Sequence, residues 1–177
     1  RIDIARTQAR CAGVRIAYAE PARLGVDRFL ALLAAHARGA GPALVVGVGT
    51  ALTLDLIDAG GQHHGGRIAP SPALMREALH ARTPVLPLAG GTRLAFAADT
   101  ADALASGCEG AALALVADGV AAARERLGSA PTVLLHGGGA PALQAALPDA
   151  IAVPSLVLQG LACWARLEHS ETETTEC

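Results

Sequence analysis

The sequence places a carboxylate beside a guanidinium at the start of a predicted helix, in the segment Leu24-Gly25-Val26-Asp27-Arg28. The Asp27 carboxylate is suited to accept a proton from a substrate hydroxyl as a general base. The planar fork of Arg28 is suited to bind a carboxylate in a bidentate way. The alternative is structural, with Asp27 as the helix N-cap and Arg28 as a solvated side chain. Taken alone, the segment favours this structural interpretation.

A glycine-rich turn follows a short apolar run, in Gly47-Val48-Gly49-Thr50-Ala51. Backbone N–H groups in such a turn bind anions such as phosphate, and the Thr50 hydroxyl adds a donor. An ordinary hairpin turn is the alternative, and without further context it is the more common occurrence.

Two further glycine-rich segments allow the backbone to approach a ligand. In His136-Gly137-Gly138-Gly139 the glycines follow a predicted strand and open a helix, where a nucleotide is able to lie flat against backbone without side chains. Gly65-Gly66 permits close approach to a ligand or to a partner chain. A plain turn is the alternative for each segment.

The histidines and cysteines form no pattern typical of a metal site. His63 and His64 are adjacent and do not have the spacing that places two ligands on one helix face. The cysteines are isolated, without a Cys-x-x-Cys pair: Cys11, Cys108, Cys163 and Cys177. We therefore expect neither a zinc site nor a disulfide scaffold, and we expect a reducing, cytoplasmic environment.

The elements that would position these residues are strands and helices in a mixed order. Hydrophobic periodicity and turn residues predict three consecutive strands joined by tight turns, which is an antiparallel meander, followed mostly by helices. The predicted strands are Val14–Tyr18, Leu44–Val48, Leu52–Ile57, Gly66–Ala69, Thr132–Leu135 and Ile151–Val153. The predicted helices are Asp27–Arg38, Ser71–Ala81, Asp99 or Thr100 to Leu127, Ala140–Leu147 and Leu156–Leu167.

This order predicts a layered α/β domain of βββαβαβ type with a mixed sheet. It is the topology of one lobe of the actin-like, sugar-kinase-like (ribonuclease H-like) phosphotransferases. The composition agrees with a folded domain, because the 177 residues are 52% hydrophobic and have a mean hydropathy of +0.40.

Charge and hydropathy also exclude two classes of partner. The net charge is −2 and no basic stripe is present, so we expect no nucleic-acid binding. Uninterrupted apolar runs such as Ala111–Ala117 are shorter than the roughly 20 residues that cross a bilayer, so we expect no membrane span.

Taken together and in order, the motifs resemble those of one family, the type III pantothenate kinases, also called Bvg accessory factor-like proteins. The resemblance extends from about Gly13 to Ala165. The motifs that carry it are Tyr18-x-x-Pro21-x-x-Leu24-Gly25-Val26-Asp27-Arg28, Gly49-Thr50-Ala51-x-Thr53-x-Asp55, Gly65-Gly66-x-Ile68-x-Pro70, Thr83-x-x-Leu86-Pro87, Thr100 through Gly107, Gly137-Gly138, and Leu156-Val157-Leu158-x-Gly160-Leu161.

The resemblance implies an actin-like kinase fold, a homodimer, and phosphorylation of pantothenate by ATP, the first step of coenzyme A biosynthesis. It implies Mg²⁺ and a monovalent cation, K⁺ or NH₄⁺, as cofactors. Asp27 would take the proton of the pantothenate hydroxyl. The other implied site residues are Tyr18, Gly25 and Arg28 for pantothenate, Thr83 for pantothenate across the dimer interface, Gly49 and Thr50 for phosphate, and Gly137 and Gly138 for adenosine.

The sequence departs from the family pattern at two functional places. The family opens with an Asp-x-Gly-Asn-Thr phosphate loop that does not occur in these residues, so we expect an incomplete first lobe. Gly47 stands where the second phosphate loop carries an Asp that would hold the monovalent cation. We predict that residues 1–43 are a remnant of the first lobe with the substrate-binding helix, that 44–167 form the second lobe, and that 168–177 are a disordered acidic tail.

Two kinds of function therefore stay open. One is an active pantothenate kinase. The other is a catalytically impaired or truncated member of the family that forms a dimer, binds a partner or regulates. A different actin-like kinase is less favoured, because the contexts of Asp27-Arg28 and Thr83 fit pantothenate.

Overall fold

Seven strands and five helices occur in the residues that the computed structural model describes, which are 2–39 and 41–173, with 168–173 described by their backbone alone. The strands are β1 (Arg10–Cys11), β2 (Val14–Arg15), β3 (Ala43–Val48), β4 (Ala51–Ile57), β5 (His63–Pro70), β6 (Thr132–His136) and β7 (Ile151–Ala152). The helices are α1 (Val26–Ala37), α2 (Pro72–Arg82), α3 (Thr100–Leu127), α4 (Ala140–Gln144) and α5 (Leu156–Glu173).

Strands β3 to β7 form one mixed sheet in the order β5-β4-β3-β6-β7, and β1 and β2 form a separate small hairpin. Neighbours β3, β4 and β5 are antiparallel, as the tight turns predict. Strand β6 lies parallel to β3 and β7 lies parallel to β6. Parallel pairing needs a crossover, which α2 and α3 provide between β5 and β6. The predicted meander and mixed sheet are confirmed.

Helices cover both faces of the sheet. Because side chains alternate along a strand, Val45 of β3 faces the core formed with α1 and α5. Its neighbour Val46 faces the second core, which includes Ala112 and Val116 of α3. The result is a three-layer α/β arrangement with a core on each side of the sheet.

Helices α1 and α5 pack unusually closely. A Cβ atom added at Gly160 of α5 would lie 1.8 Å from the backbone oxygen of Leu30 in α1, so no side chain fits there. The predicted apolar face of α1 is buried, with Phe29, Leu30 and Leu33 at most 5% exposed. This packing fixes α1, and with it the residues at its first turn, above the sheet.

The predicted helix starts are also present. The Ser71 side chain caps α2 by accepting a hydrogen bond from the backbone N–H of Leu74 at 3.3 Å. Asp99 caps α3 in the same way, accepting from the backbone N–H of Asp102 at 3.0 Å. Gly128, with a φ of 72°, ends α3 in the left-handed conformation that favours glycine.

Some element boundaries differ from the predictions. The expected strand Val14–Tyr18 is limited to Val14–Arg15, since the backbone N–H of Ala17 donates to the Nδ1 atom of His63 at 3.4 Å. Helix α4 is shorter than predicted, and α5 continues past Leu167 to Glu173, into the segment expected to be a disordered tail. Residues 174–177 of that expected tail lie outside the described residues.

Helix α3 is more apolar over its length than the uninterrupted runs of the sequence suggest. It is 28 residues long, and its most apolar 18-residue window has a mean hydropathy of 1.3, which is enough by length and composition to cross a bilayer. The uninterrupted apolar runs are short, but Ala, Leu and Val recur between the polar residues and keep the average high. In this fold α3 instead packs along the sheet, where Gly119 allows contact with Leu54 and Leu44.

Candidate active site

A pocket of about 430 Å³ lies where the ends of β3 and β6 meet the first turn of α1. Five residues implied by the family resemblance line it together, namely Asp27, Arg28, Gly49, Thr50 and Gly137. Gly47 and two residues that the sequence analysis did not assign to the site, Thr53 and His136, complete the same wall. The fold thus brings the helix motif and both glycine-rich turns to one cavity.

Sheet register explains why the floor of this pocket is polar. On one row of the sheet Gly47 pairs with Thr53 of β4 and with His136 of β6. On the next row Val45 pairs with Asp55 and Leu134. Both rows point towards the α1 and α5 side, so Asp55, Thr53 and His136 share this face of the sheet.

The Arg28 guanidinium is not solvated, and its bidentate edge is not available to the carboxylate of a ligand. Its side chain is 7% exposed, and its Nε and Nη2 atoms each donate to an oxygen of Asp55 at 2.7 Å. The bidentate geometry expected of this guanidinium is therefore made with a carboxylate of the same chain. The remaining nitrogen, Nη1, donates to the Tyr18 hydroxyl oxygen at 3.3 Å.

His63 completes the buried network around Asp55. Its Nδ1 atom accepts the backbone N–H of Ala17, so the ring proton is assigned to Nε2. That N–H donates to the Oδ1 atom of Asp55 at 3.0 Å. The ring of Tyr18 stacks on His63 with 6.0 Å between centroids. Nothing in the sequence around His63 indicates this role, since its only distinguishing feature there is its adjacency to His64.

The network changes the acidity of its charged members. Burial opposes ionisation of Asp55, but hydrogen bonds from His63 and Arg28, together with the Arg28 charge, outweigh it and hold the pKa of Asp55 below its usual value. Burial likewise disfavours the charged guanidinium, yet Asp55 reverses this and raises the pKa of Arg28. Both groups therefore stay charged at neutral pH.

Gly66 makes room for this ion pair against the backbone of β5. An added Cβ atom would lie 2.3 Å from the Oδ1 atom of Asp55 and 2.5 Å from the Nη2 atom of Arg28. Such distances are impossible for real atoms, so only glycine fits. The glycine pair Gly65-Gly66 was expected to meet a ligand or a partner chain, and Gly66 instead meets an internal ion pair.

Asp27 is placed differently from its neighbour. The N-cap of α1 is Gly25 and the helix begins at Val26, so Asp27 is inside the first turn and is not the cap. This excludes the structural alternative for Asp27. Its side chain is exposed and lines the pocket. Gly25 leaves room for it, since an added Cβ atom there would lie 2.7 Å from the Oδ1 atom of Asp27.

The two glycine-rich turns stand side by side at the pocket. The backbone N–H of Gly49 donates to the oxygen of Ala51 at 2.9 Å, which closes a tight hairpin, and both Gly49 and Thr50 are exposed. Gly137 has a φ of 96°, and the backbone N–H of Gly139 donates to the oxygen of Val48. The hairpin alternative is thus correct as structure, and it is compatible with a phosphate-binding role.

A second cavity, of about 600 Å³, adjoins the first at Gly137 and contains Gly138. Its other lining residues are mainly apolar: Leu135, Ala140, Pro141, Ala145, Ala152 and Pro154. Gln144 also lines it, and the side-chain amide of Gln144 donates to the backbone oxygen of Ala150 at 3.0 Å. The Oε1 atom of Gln144 is buried and accepts no hydrogen bond within the part of the chain that the structure describes.

Thr83 is not brought to this pocket within one chain. It is the exposed C-cap residue of α2 and does not belong to the described lining of either cavity. The role of Thr83 across a dimer interface, which the family resemblance implies, therefore stays a prediction.

The residues of the pocket fit one of the two implied cations, Mg²⁺, and do not fit the monovalent cation. Mg²⁺ is commonly held by one or two carboxylates together with substrate phosphates and water, and the exposed carboxylate of Asp27 at the pocket fits that chemistry. The monovalent cation does not fit, because position 47 has no carboxylate and the imidazole of His136 lies 3.0 Å from where a Cβ atom of residue 47 would be.

The fold and this pocket define the class of protein. A mixed sheet that gathers an exposed carboxylate and a glycine-rich hairpin at its strand ends is the arrangement that the sequence predicts for one lobe of an actin-like phosphotransferase. The model of the type III pantothenate kinase family matches residues 2–122, and the chain belongs to that family.

Similar proteins agree with this assignment. The chain is 65% identical over 164 residues to the type III pantothenate kinase of Stenotrophomonas maltophilia strain R551-3, covering 93% of this chain and 67% of that protein. It is 59% identical over 170 residues to the type III pantothenate kinase of Xanthomonas axonopodis pv. citri strain 306, covering 96% and 69%. The chain therefore spans about two thirds of the length of these relatives.

A solved structure shows the same fold. The crystal structure of a conserved putative Baf family transcriptional activator from Campylobacter jejuni matches with a TM-score of 0.66 and 25% sequence identity. The match covers 84% of this chain and 66% of that one. The family resemblance and the predicted fold class are confirmed.

Proposed function

We propose that the protein containing this chain transfers the γ-phosphoryl group of ATP to the hydroxyl of pantothenate, the first step of coenzyme A biosynthesis. The observation that carries the proposal is the shared pocket of Asp27 and the Gly49-Thr50 hairpin. Phosphoryl transfer depends on positioning and on stabilising charge, and a carboxylate facing a phosphate turn supplies both a base and an anchor.

Asp27 would act as the general base. Its exposed carboxylate would accept the proton of the attacking hydroxyl, while the Gly49-Thr50 turn in the same pocket would hold the phosphates. Arg28 and Tyr18 would shape the pantothenate side. Because the fork of Arg28 is engaged by Asp55, only its outer N–H groups are left for a substrate.

The second cavity is suited to the adenosine of ATP. Its walls are largely apolar, and Gly138 offers backbone without a side chain, in agreement with the role that the resemblance implies for Gly137 and Gly138. Gln144 is the polar side chain of this wall, and its Oε1 atom, which is buried, would accept a hydrogen bond from the exocyclic amine of adenine only after the side chain turns towards the cavity.

Mg²⁺ would bind with the nucleotide and neutralise the charge that develops on the transferred phosphoryl group. The residues of this chain nearest to that role are Asp27 and the Gly49-Thr50 turn. Their part is to bind and orient the phosphates and to accept the hydroxyl proton.

The homodimer is part of the same proposal. Ile68 of β5 is 64% exposed and Leu79 of α2 is 44% exposed. Beside them an apolar groove of about 720 Å³ runs between α2 and α3 and contains Leu74 and Met75. A second copy that covers the region Gly65–Pro87 would bury this surface and carry Thr83 towards its neighbour's pocket. We expect the enzyme to act in the cytoplasm, where ATP and pantothenate meet.

The experiment that tests the function uses the full-length protein. Purified enzyme with ATP, Mg²⁺ and pantothenate should form phosphopantothenate, detected by mass spectrometry, and omission of pantothenate should abolish the product. No product under these conditions, from a protein that still binds ATP, would favour a non-catalytic family member that dimerises or regulates.

A further inference from the structure

Gly47 and His136 compete for the same space. The two residues are direct partners in the parallel pairing of β3 and β6, so they share one face of the sheet. A Cβ atom on Gly47 would lie 3.0 Å from the Nε2 atom of His136 and 2.7 Å from the Oγ1 atom of Thr53. The imidazole therefore crowds position 47, where any side chain would require both His136 and Thr53 to shift.

The surroundings of His136 suit a group that changes charge when a phosphate arrives. The side chain is half-buried and lines the pocket with Gly49 and Thr50. Burial lowers the pKa of His136, and the charges of Asp27 and Asp55 oppose that shift without cancelling it. Arg28 also lines the pocket, but its charge is balanced by Asp55. In the free protein the imidazole is accordingly neutral at neutral pH.

We propose that His136 supplies the positive charge that the family resemblance assigns to a monovalent cation, so that this protein binds nucleotide phosphates and transfers a phosphoryl group without K⁺ or NH₄⁺. The proposal rests on the proposed kinase function. When a polyphosphate enters, its negative charge favours the imidazolium, and the ring takes up one proton from solvent. The imidazolium N–H then donates a charge-assisted hydrogen bond to a phosphate oxygen.

The first test compares salts on the full-length wild-type enzyme. Initial rates of phosphopantothenate formation are measured in KCl, NH₄Cl and choline chloride at equal ionic strength. We expect rates within about twofold of one another. A tenfold or greater stimulation by K⁺ or NH₄⁺ would overturn the proposal.

The second test measures proton uptake and does not depend on turnover. Calorimetric titration of the wild-type protein with Mg²⁺ and a non-hydrolysable ATP analogue is repeated at pH 7.5 in two buffers of different ionisation enthalpy. We expect net proton uptake in the wild type, none in His136→Gln, and wild-type uptake in His64→Gln. His64 is a matched control, since it is half-buried beside a carboxylate, Asp58, but lines a different cavity.

These binding data separate the two proposals. Proton uptake by an enzyme that makes no phosphopantothenate would contradict the proposed function and uphold the role of His136. Turnover without proton uptake would uphold the proposed function and contradict the role of His136. The salt comparison uses the wild type alone, so the proposal stays testable even if His136→Gln does not fold.

The third test introduces the aspartate that the family pattern carries at position 47 and removes the imidazole of His136. His136→Gln alone should lower kcat/KM by about 10²-fold, the usual effect of removing one preorganised electrostatic donor. Gly47→Asp alone should also lose activity, because the new side chain collides with His136. The double variant Gly47→Asp/His136→Ala should regain activity that depends on K⁺. A double variant as active in choline chloride as in KCl would count against the exchange of imidazole for cation.

Discussion

The guanidinium of Arg28 meets the carboxylate of Asp55 side by side, with Nε and Nη2 each 2.7 Å from a different oxygen. Both side chains are almost fully buried, at 7% and 3% exposed. The pair ties the first turn of α1 to β4, and His63 holds the carboxylate from the other side. The position of Asp27, one residue earlier in the chain, therefore depends on a buried ion pair whose arginine also lines the pocket.

Breaking this pair should be costly. Asp55→Asn leaves the Arg28 charge buried without a counter-charge, so we expect the free energy of unfolding to fall by about 3–5 kcal/mol. Urea denaturation followed by circular dichroism measures the change. Asp118→Asn is the matched control, because the carboxylate of Asp118 is 71% exposed beside Arg67 and should change stability by less than about 1 kcal/mol.

Replacing both charged residues separates the effect of breaking the ion pair from the cost of leaving one charge buried and unpaired. The variant Arg28→Met/Asp55→Leu should be more stable than Asp55→Asn, since no unpaired charge remains in the core. It should nevertheless lose activity, because α1 is no longer oriented by the ion pair. If the double variant were less stable than the single one, the cost assigned to the unpaired guanidinium would be wrong.

The lowered pKa of Asp55 predicts acid sensitivity. The unfolded chain has an ordinary Asp pKa of about 3.9, and the folded protein has a lower one, so the unfolded state binds more protons as the pH falls. The stabilisation is complete above that value and is lost as the pH drops through the folded pKa. Unfolding free energies measured from pH 6 down to pH 2 should show this decline. The decline should be smaller in Arg28→Met/Asp55→Leu, and an unchanged slope would exclude Asp55 as its source.

Asp27→Asn should preserve the fold and remove most of the turnover. A neutral amide accepts no proton from the pantothenate hydroxyl, and general-base contributions are about 10²–10⁴ in rate. Because the side chain is exposed, the melting temperature should change little. Steady-state kinetics should show a large loss in kcat with a smaller change in the KM for pantothenate. A variant that turns over at the wild-type rate would remove Asp27 from the mechanism.

Gln144 should contribute to the selection of the nucleotide base, adenine over guanine. Gln144→Leu removes the buried acceptor, so we expect the Kd for ATP to rise about five- to tenfold, the equivalent of one hydrogen bond, with little effect on the weaker binding of GTP. Calorimetry with both nucleotides measures the difference. Gln159→Leu, an exposed change on α5, is the control. An equal loss for ATP and GTP would place Gln144 outside base recognition.

Ile68→Asp tests the proposed dimer. A charge at this 64%-exposed position should weaken association and, because Thr83 would then be missing from the neighbouring pocket, should raise the KM for pantothenate. Sedimentation velocity at micromolar concentration measures the oligomeric state. Leu158→Asp on α5, where the native side chain is 67% exposed, should leave the dimer intact. A dimer that survives Ile68→Asp would place the interface elsewhere.

Local patterns in the sequence were enough to predict most of the fold. The meander, the caps at Ser71 and Asp99 and the apolar face of α1 each depend on neighbouring residues, and each was found where periodicity and capping rules place it. Element ends were less predictable, since packing decides where helices such as α4 and α5 stop.

The contacts within the site could not be predicted in the same way. Arg28 and Asp55 are 27 residues apart, and no local pattern indicates that the guanidinium of one contacts the carboxylate of the other. The approach of His136 to Gly47 depends on the parallel pairing of β3 and β6, which long helices separate in the chain. Sequence motifs therefore indicated which residues belong to the site, while the folded sheet decided which of them are neighbours.

The close contact between positions 47 and 136 also restricts the order in which the gene is able to change. An aspartate that appears first at position 47 requires both neighbours to shift, because its Cβ atom would lie 2.7 Å from the Oγ1 atom of Thr53 and 3.0 Å from the Nε2 atom of His136. Replacement of His136 by a smaller residue first removes one of these two contacts. Any lineage that exchanges one arrangement for the other is accordingly expected to pass through a Gly47 intermediate without the histidine.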